Sequence, residues 1–360
     1  MNTKFEARAE WRFPALRDLP VRRILVIKLR GIGDVLLSSI VTSNLRAAFP
    51  KARIDFLTEP PSRDMISGNP FIDELVLFQP GVLSTLRMFG ELHRRKYDLV
   101  FDLFCNPRSA QMTFATCAPV RVGYPFRGRA YAYTVHVRSR SDAVHTTEFN
   151  LDTLAALDIP IRERRIIFPL PADAEAWAVD YCTTLGHDGL LVGISCSGTW
   201  ESKRWKLPSV AAFADAIAER YGALPLLLWG PGERDDVEFV LRSMKQHAVI
   251  APPTTLKQMG ALLSRCDVVL ANNSSPLHIA EAVGTPVLGI FGPTNPHLQG
   301  PILPESEWVR KEDLDCLGCN YTTCPIGNIC MTELSIESVL TVFDSVVRRL
   351  EKQHNGDSRA

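Results

Sequence analysis

Residues 23–35 read Arg23-Ile24-Leu25-Val26-Ile27-Lys28-Leu29-Arg30-Gly31-Ile32-Gly33-Asp34-Val35. The uninterrupted aliphatic run from Ile24 to Ile27 has the pattern of a strand buried on both faces, the kind found in parallel sheets. Two glycines then turn the chain into an amphipathic stretch that continues to Phe49. A strand that passes through a glycine turn into a helix opens a βαβ unit, and such units build a parallel sheet covered by helices. The turn is not a dinucleotide fingerprint, because the third glycine of G-x-G-x-x-G would fall at Leu36.

The alternation carries on. Further strands are predicted at 54–57, 75–78 and 99–103, with helical segments between them, and 120–140 reads as loops or short strands rich in glycine, proline and aromatics. The Pro-containing stretch Phe168-Pro169-Leu170-Pro171 precedes a fresh helix near 174–185. The rhythm then restarts at 189–194, with strands at 224–229, 248–250, 267–271 and 286–291 and a last helix over about 336–352. The expected class is α/β, with two Rossmann-like domains built on parallel sheets. The expected division is an N-terminal extension (1–20), a first domain (21–170), a second domain (171–335) containing a Cys-rich loop (316–330), and a C-terminal helix and tail (336–360).

The 360 residues are 46% hydrophobic and 22% charged, which is ordinary globular composition and excludes disorder. Lys+Arg and Asp+Glu both number 40, so no global charge favours nucleic acid. Residues 87–140 nevertheless hold ten Lys/Arg against three Asp/Glu, a stretch suited to an anionic partner. No apolar run approaches the roughly 18 residues of a membrane span. Residues 1–20 mix Arg8, Arg12 and Arg17 with Glu6, Glu10 and Asp18, so no secretory signal is expected. The expected location is cytoplasmic, with the nine cysteines reduced.

Four segments follow predicted strands, where open α/β sheets bind ligands. The first carries Asp34, whose carboxylate reads either as a reactive group or as a helix cap. The second, Ser195 to Trp205, joins Thr199 and other small hydroxyl residues to Lys203 and Arg204, a composition that suits a diphosphate; the alternative is a solvated loop pinned by Trp205. The third, Gly230-Pro231-Gly232-Glu233, offers a carboxylate for ribose hydroxyls, or an ordinary turn with an acidic helix start. The fourth runs Asn273-Ser274-Ser275-Pro276-Leu277-His278, where Pro276 falls in the first turn of a helix whose free N–H groups suit an anion. A fifth motif, Cys316-x2-Cys319-x4-Cys324-x5-Cys330, reads as a tetrathiolate site, most simply structural zinc; iron–sulfur ligation, two disulfides and free thiols stay open.

The stretch 27–36, the Lys203-Arg204-Trp205 segment, and 273–280 through Gly292-Pro293-Thr294 resemble family 9 glycosyltransferases, typified by ADP-heptose:lipopolysaccharide heptosyltransferases. The resemblance covers roughly residues 22–350 in consistent order. It implies a GT-B architecture, with a nucleotide-sugar donor held mainly by the C-terminal domain. Carried over position by position, it makes Asp34 the catalytic base, and Gly33, Thr199, Lys203, Glu233, Asn273, Ser274, Ser275 and His278 the donor-binding candidates. The sequence departs at Asn273, where the family usually has aspartate.

The resemblance also implies inverting transfer by a single displacement, with no cofactor required for catalysis and zinc only as a structural element. Its partners would be a nucleotide-sugar and a lipid-linked glycan, met at the inner face of the inner membrane, with Arg108, Arg127 and Arg129 the acceptor-side cations and no role for nucleic acid. Two alternatives stand beside it: a non-catalytic nucleotide-sugar-binding scaffold, and a nucleotide-sugar epimerase on the same fold.

Overall fold

The computed structural model describes residues 20–140, 143–196, 198 and 200–357. The expected N-terminal extension, up to residue 19, and Thr199 lie outside them. The chain divides into two compact units between Pro169 and Leu170.

The first unit runs β1 (Arg23–Ile27), α1 (Ile32–Ser38), α2 (Ile40–Ala48), β2 (Arg53–Thr58), α3 (Arg63–Ile66), β3 (Glu74–Leu77), α4 (Val82–Arg95), β4 (Leu99–Asp102), α5 (Pro107–Ala115), β5 (Val120–Gly123), β6 (Val135–His136) and α6 (Thr146–Ala155). Its six strands form one sheet in the order β3-β2-β1-β4-β5-β6. All its pairs are parallel, with Ile24 opposite Ile54 on one side and Leu99 on the other. The central position of β1 follows from its sequence, since Ile24, Leu25, Val26 and Ile27 are each 0% exposed between helices on both faces. The stretch 120–140 contributes β5 and β6, and its aromatic residues pack in the connections: the rings of Tyr124 and Phe149 stack with centroids 4.0 Å apart.

The second unit repeats the scheme with α7 (Ala172–Thr184), β7 (Leu191–Ser195), α8 (Leu207–Tyr221), β8 (Leu224–Leu228), α9 (Arg234–Ser243), β9 (Val249–Ile250), α10 (Leu256–Leu263), β10 (Val268–Asn272), α11 (Ser275–Val283), β11 (Val287–Ile290), α12 (Pro296–Gln299), β12 (Glu307–Val309), α13 (Ile329–Thr332) and α14 (Ile336–Asp357). Its sheet, again parallel throughout, is ordered β12-β11-β10-β7-β8-β9. Helix α14 belongs to this unit: Val339, Phe343 and Val346 are fully buried, and Phe343 meets Phe213 of α8 edge-on at 5.4 Å.

In each sheet the chain starts near the centre, builds outward to one side, then returns to build the other. The reversal falls between β1 and β4 in the first unit and between β7 and β10 in the second. At such a point the loops beyond the carboxyl ends of the two neighbouring strands diverge to opposite faces and leave a crevice. Among the described residues, no helix is long and apolar enough to cross a membrane.

Candidate functional site

The crevice of the first unit lies beyond β1 and β4. Gly31 turns the chain there with φ +88°, a conformation that a β-carbon disfavours. Asp34, in the first turn of α1, is partly exposed, and a β-carbon on Gly31 would lie only 2.6 Å from its Oδ2. The carboxylate therefore lies over the glycine turn, and the turn has room for it because residue 31 has no side chain.

Two charged groups that the sequence reading did not single out stand at the same edge. Lys28 is 9% exposed; its Nζ donates to Leu103 O at 3.1 Å and lies 5.6 Å from the centroid of the Phe104 ring. Asp102, fully buried at the end of β4, accepts bonds from Phe104 N (3.0 Å), Cys105 N (2.8 Å) and the Tyr133 hydroxyl (2.8 Å). Burial pushes its carboxyl above the usual range while these bonds oppose the rise. The signal for both was a charged residue closing an otherwise apolar strand.

Of the acceptor-side candidates, Arg108 opens α5 directly after β4. Its guanidinium lies 5.6 Å over the Phe78 ring, with Nη1 4.0 Å from Glu59 Oε1. Arg127 is exposed and holds φ +44°, a strained backbone for a non-glycine residue. The Nε of Arg129 is buried and makes no hydrogen bond among the described residues. The cationic run 87–140 is not one face. Arg95 is tied to Glu74 (2.7 Å), Glu91 (2.7 Å) and Asp55 (3.0 Å), Arg121 donates to Ala132 O (2.8 Å), and Arg140 pairs with Asp152. Moreover, α4 runs antiparallel to the strands and carries Arg94–Lys96 to their amino ends, whereas Arg108 follows a carboxyl end. Proximity in sequence therefore does not give proximity in the fold.

In the second unit the loop after β7 carries Lys203, partly buried, with Nζ 4.2 Å from the centroid of the Trp200 ring. Trp205, 1% exposed, fixes the end of this loop: its N donates to Asn272 Oδ1 (3.3 Å) and its Nε1 to Leu334 O (3.2 Å). Asn272, the last residue of β10, donates in turn to Cys196 O (2.7 Å). Glu233 curls back so that one of its oxygens accepts from Gly230 N (2.8 Å), which commits that oxygen to the turn.

The segment beyond β10 departs from expectation. Asn273 is 4% exposed, and its amide is turned into the protein, donating to Thr294 Oγ1 (2.7 Å) and Gln299 Oε1 (3.1 Å). It therefore braces the loop after β11 instead of presenting a polar group outward. Ser274 is the N-cap of α11 without a side-chain capping bond, and its hydroxyl donates to Asn272 O (3.2 Å). Ser275 opens the helix, partly exposed, and Pro276 has no N–H. Ser274 puts no side-chain capping bond on the start of α11, and a helix start of this kind favours a phosphate, although Pro276 lacks an N–H and Leu277 N already donates to Ser274 O (3.2 Å). His278, one turn in, is 6% exposed on the packed side of the helix.

The four-cysteine segment is bonded to the loops after β7 and β11. The Ser202 hydroxyl, beside Lys203, donates to Tyr321 O (2.6 Å), and Asn320 N donates to Pro293 O (2.9 Å). Burial and the three neighbouring thiols push Cys330 up to about 11, so the four sulfurs share one neighbourhood. Among the described residues, however, no three His, Cys, Asp or Glu side chains are arranged as a metal shell.

The likenesses agree with this fold. The family model for glycosyltransferase family 9 (heptosyltransferase) matches residues 85–330. Lipopolysaccharide core heptosyltransferase OpsX of Haemophilus influenzae is 23% identical over 344 residues, covering 91% of this chain and 97% of that protein. A family 9 glycosyl transferase from Veillonella parvula superposes with a TM-score of 0.79 at 22% identity, covering 92% of this chain and 97% of the other. The ADP-heptose lps heptosyltransferase II of Escherichia coli gives 0.74 at 18%, covering 91% and 99%. Two Rossmann-like units in one chain make the GT-B architecture these structures share, and with two thirds of its length inside the family model the chain belongs to glycosyltransferase family 9.

Proposed function

We propose that this glycosyltransferase moves heptose from ADP-heptose to a lipopolysaccharide-core or related lipid-linked glycan, with inversion and without a catalytic metal. The donor assignment follows the relative whose name carries ADP-heptose, and the acceptor assignment follows the lipopolysaccharide core heptosyltransferase of H. influenzae. The observation that carries the reading is the pairing of Lys203 with the uncapped start of α11 at the ends of β7 and β10. A cation and a helix start at a sheet's reversal point suit a nucleoside diphosphate.

In the reaction, an acceptor hydroxyl oxygen forms a bond to the anomeric carbon as the bond from that carbon to the diphosphate breaks. The electron pair leaves with ADP, and the hydroxyl proton passes to Asp34 as general base. Lys203 and the α11 N–H groups stabilise the charge that grows on the departing diphosphate. Arg108, Arg127 and Arg129 face the phosphorylated acceptor. Position 273 carries no charge toward the sugar in this scheme, because it is a neutral amide, whose NH2 donates to Thr294 and Gln299.

The test is calorimetric binding of ADP-heptose, UDP-sugars and GDP-sugars, with transfer to a lipopolysaccharide-core acceptor followed in parallel. Wild type binds ADP-heptose selectively; Lys203→Ala weakens that binding by about tenfold or more, the loss of one charge-assisted contact. Binding without transfer, unaltered by Asp34→Asn, would replace the transferase with a scaffold. Donor turnover without acceptor would indicate the epimerase instead.

A further inference from the structure

We propose that the first turn of α4 is a membrane-docking tip that rests the enzyme on an anionic lipid surface. The proposal deepens the reading of a lipid-linked acceptor, and its test separates the two. Helix α4 is held to the core by Met88 and Leu92, which are 6% and 0% exposed. Its first turn has no such seat. Val82, Leu83 and Leu86 are 79%, 70% and 61% exposed, and Gln79, Pro80 and Gly81 before them are exposed as well. The helix begins at Gly81 with no side-chain cap. An aliphatic cluster at the tip of a loop-to-helix junction keeps three large side chains in water with no partner among the described residues.

The charges on the same helix identify what covers it. Leu83, Leu86, Arg87, Gly90 and Arg94 follow one another at helical spacing on a single exposed face. The cations Arg87 and Arg94 are exposed, with His93 beside them, whereas the one carboxylate of the helix, Glu91, is bound to Arg95 at 2.7 Å. The cationic surface continues at the far end, where Arg22, Arg94 and Lys96 line a cavity of about 330 Å³ together with Arg23, Arg95 and Asp98. Aliphatic residues followed by cations along one helical face are the composition of a helix lying in a lipid interface, its apolar end among acyl chains and its cations at anionic headgroups. A second copy docked with the two α4 helices parallel about a two-fold axis would set Arg87 and Arg94 against their own counterparts, a like-charge contact.

The tip also lies where a lipid-linked substrate would need it. Helix α4 starts just beyond the carboxyl end of β3, the edge of the sheet that also carries Asp34 and Arg108. The contact between Arg108 and Phe78, four residues before the helix, ties the acceptor-side cation to the same corner.

The experiment uses the full chain and three proteins: wild type, Leu83→Glu/Leu86→Glu, and Arg87→Glu/Arg94→Glu. Flotation is measured with vesicles of phosphatidylglycerol and phosphatidylethanolamine, and with phosphatidylcholine alone. Transfer to a deacylated, water-soluble acceptor and thermal melting are measured beside it. Wild type floats with the anionic vesicles, less so as salt rises. The leucine variant binds at least tenfold more weakly at unchanged melting temperature and unchanged transfer to the soluble acceptor. The arginine variant loses at least about thirtyfold, the weight of two cations near such a surface before the repulsion of two new carboxylates is added, and with it the dependence on anionic lipid.

Wild type that stays off anionic vesicles overturns the proposal, even while transfer to the soluble acceptor shows the function intact. Equal flotation of all three proteins overturns it as well. A dimer in sedimentation, abolished by the leucine variant and accompanied by no vesicle binding, assigns the face to a second copy. Vesicle binding lost in both variants, with no transfer by any of the three, keeps the docking tip and removes the proposed reaction.

Discussion

Replacing Gly31 by alanine makes two separate demands on the first unit. The backbone there holds φ +88°, where a β-carbon costs about 1–3 kcal/mol. The new carbon would also sit 2.6 Å from Asp34 Oδ2, against the 3.4 Å at which ordinary contact begins, so the carboxylate must withdraw by about 0.8 Å, the difference between the two. The first demand appears as stability: for a unit of this size it lowers the melting temperature by about 3–10 °C. The second appears as rate, because displacing a general base by nearly 1 Å costs up to about a hundredfold in kcat.

Donor affinity falls far less than kcat in Gly31→Ala, since Gly33 alone among the residues assigned to the donor belongs to the first unit. Asp34→Asn supplies the comparison: it keeps the shape and removes the base, so kcat falls by about 10²–10⁴ while melting stays close to wild type. Scanning fluorimetry, donor calorimetry and steady-state transfer on the three proteins decide the matter. A Gly31→Ala enzyme with lowered melting but wild-type kcat would show that the position of Asp34 is immaterial. An Asp34→Asn enzyme with wild-type kcat would remove Asp34 from the reaction.

Three further outcomes are expected. Asn273→Ala leaves the buried Thr294 Oγ1 and the half-buried Gln299 Oε1 without their donor and lowers unfolding free energy by about 1–3 kcal/mol, read by chemical denaturation. Ser202→Ala releases the turn bearing Lys203 from Tyr321 O and raises the donor KM several-fold with kcat within about twofold, whereas Ser202→Thr, which keeps the hydroxyl, restores the KM; equal constants in all three would deny the coupling. Burial, followed by Asp236, pushes the Cys196 thiol up to about 12 from an ordinary value near 9. Above pH 9 the unfolded chain releases this proton while the folded chain keeps it, so stability falls as pH rises from 9 towards 12. Cys196→Ala shows a shallower fall in denaturation midpoint over that range, and an identical slope in the two proteins would exclude the thiol.

What could be read from the sequence was whatever local pattern determines. The run Ile24–Ile27 and the glycine turn after it identify a central strand and its loop without tertiary information, and Asp34 is legible because it follows that turn. The strands β5, β6 and β12 span two to four residues each, too few for a period to declare itself. The cationic run 87–140 misleads for a geometric reason: a helix antiparallel to its strands carries Arg94–Lys96 to the edge opposite Arg108. Asn273 is opaque because its partners lie 21 and 26 positions away, and nothing adjacent to it indicates a donor that faces inward. Lys28 and Asp102 were legible in principle, as charges closing apolar strands, and acquire meaning once β1 and β4 are known to be neighbours.

The inward amide at position 273 has a consequence for how such chains diverge. A side chain that donates to Thr294 and Gln299 is not exchanged for an acid without a response from its partners. Aspartate would bring acceptor oxygens against Gln299 Oε1 until that amide turned over and offered its NH2 instead. The two loops are therefore coupled through positions 273 and 299, and a change at one is answered by reorientation at the other. Judged by that pair, the missing aspartate records an alternative way of wiring two loops together, and it gives no reason to place the chain among transferases that have lost their trade.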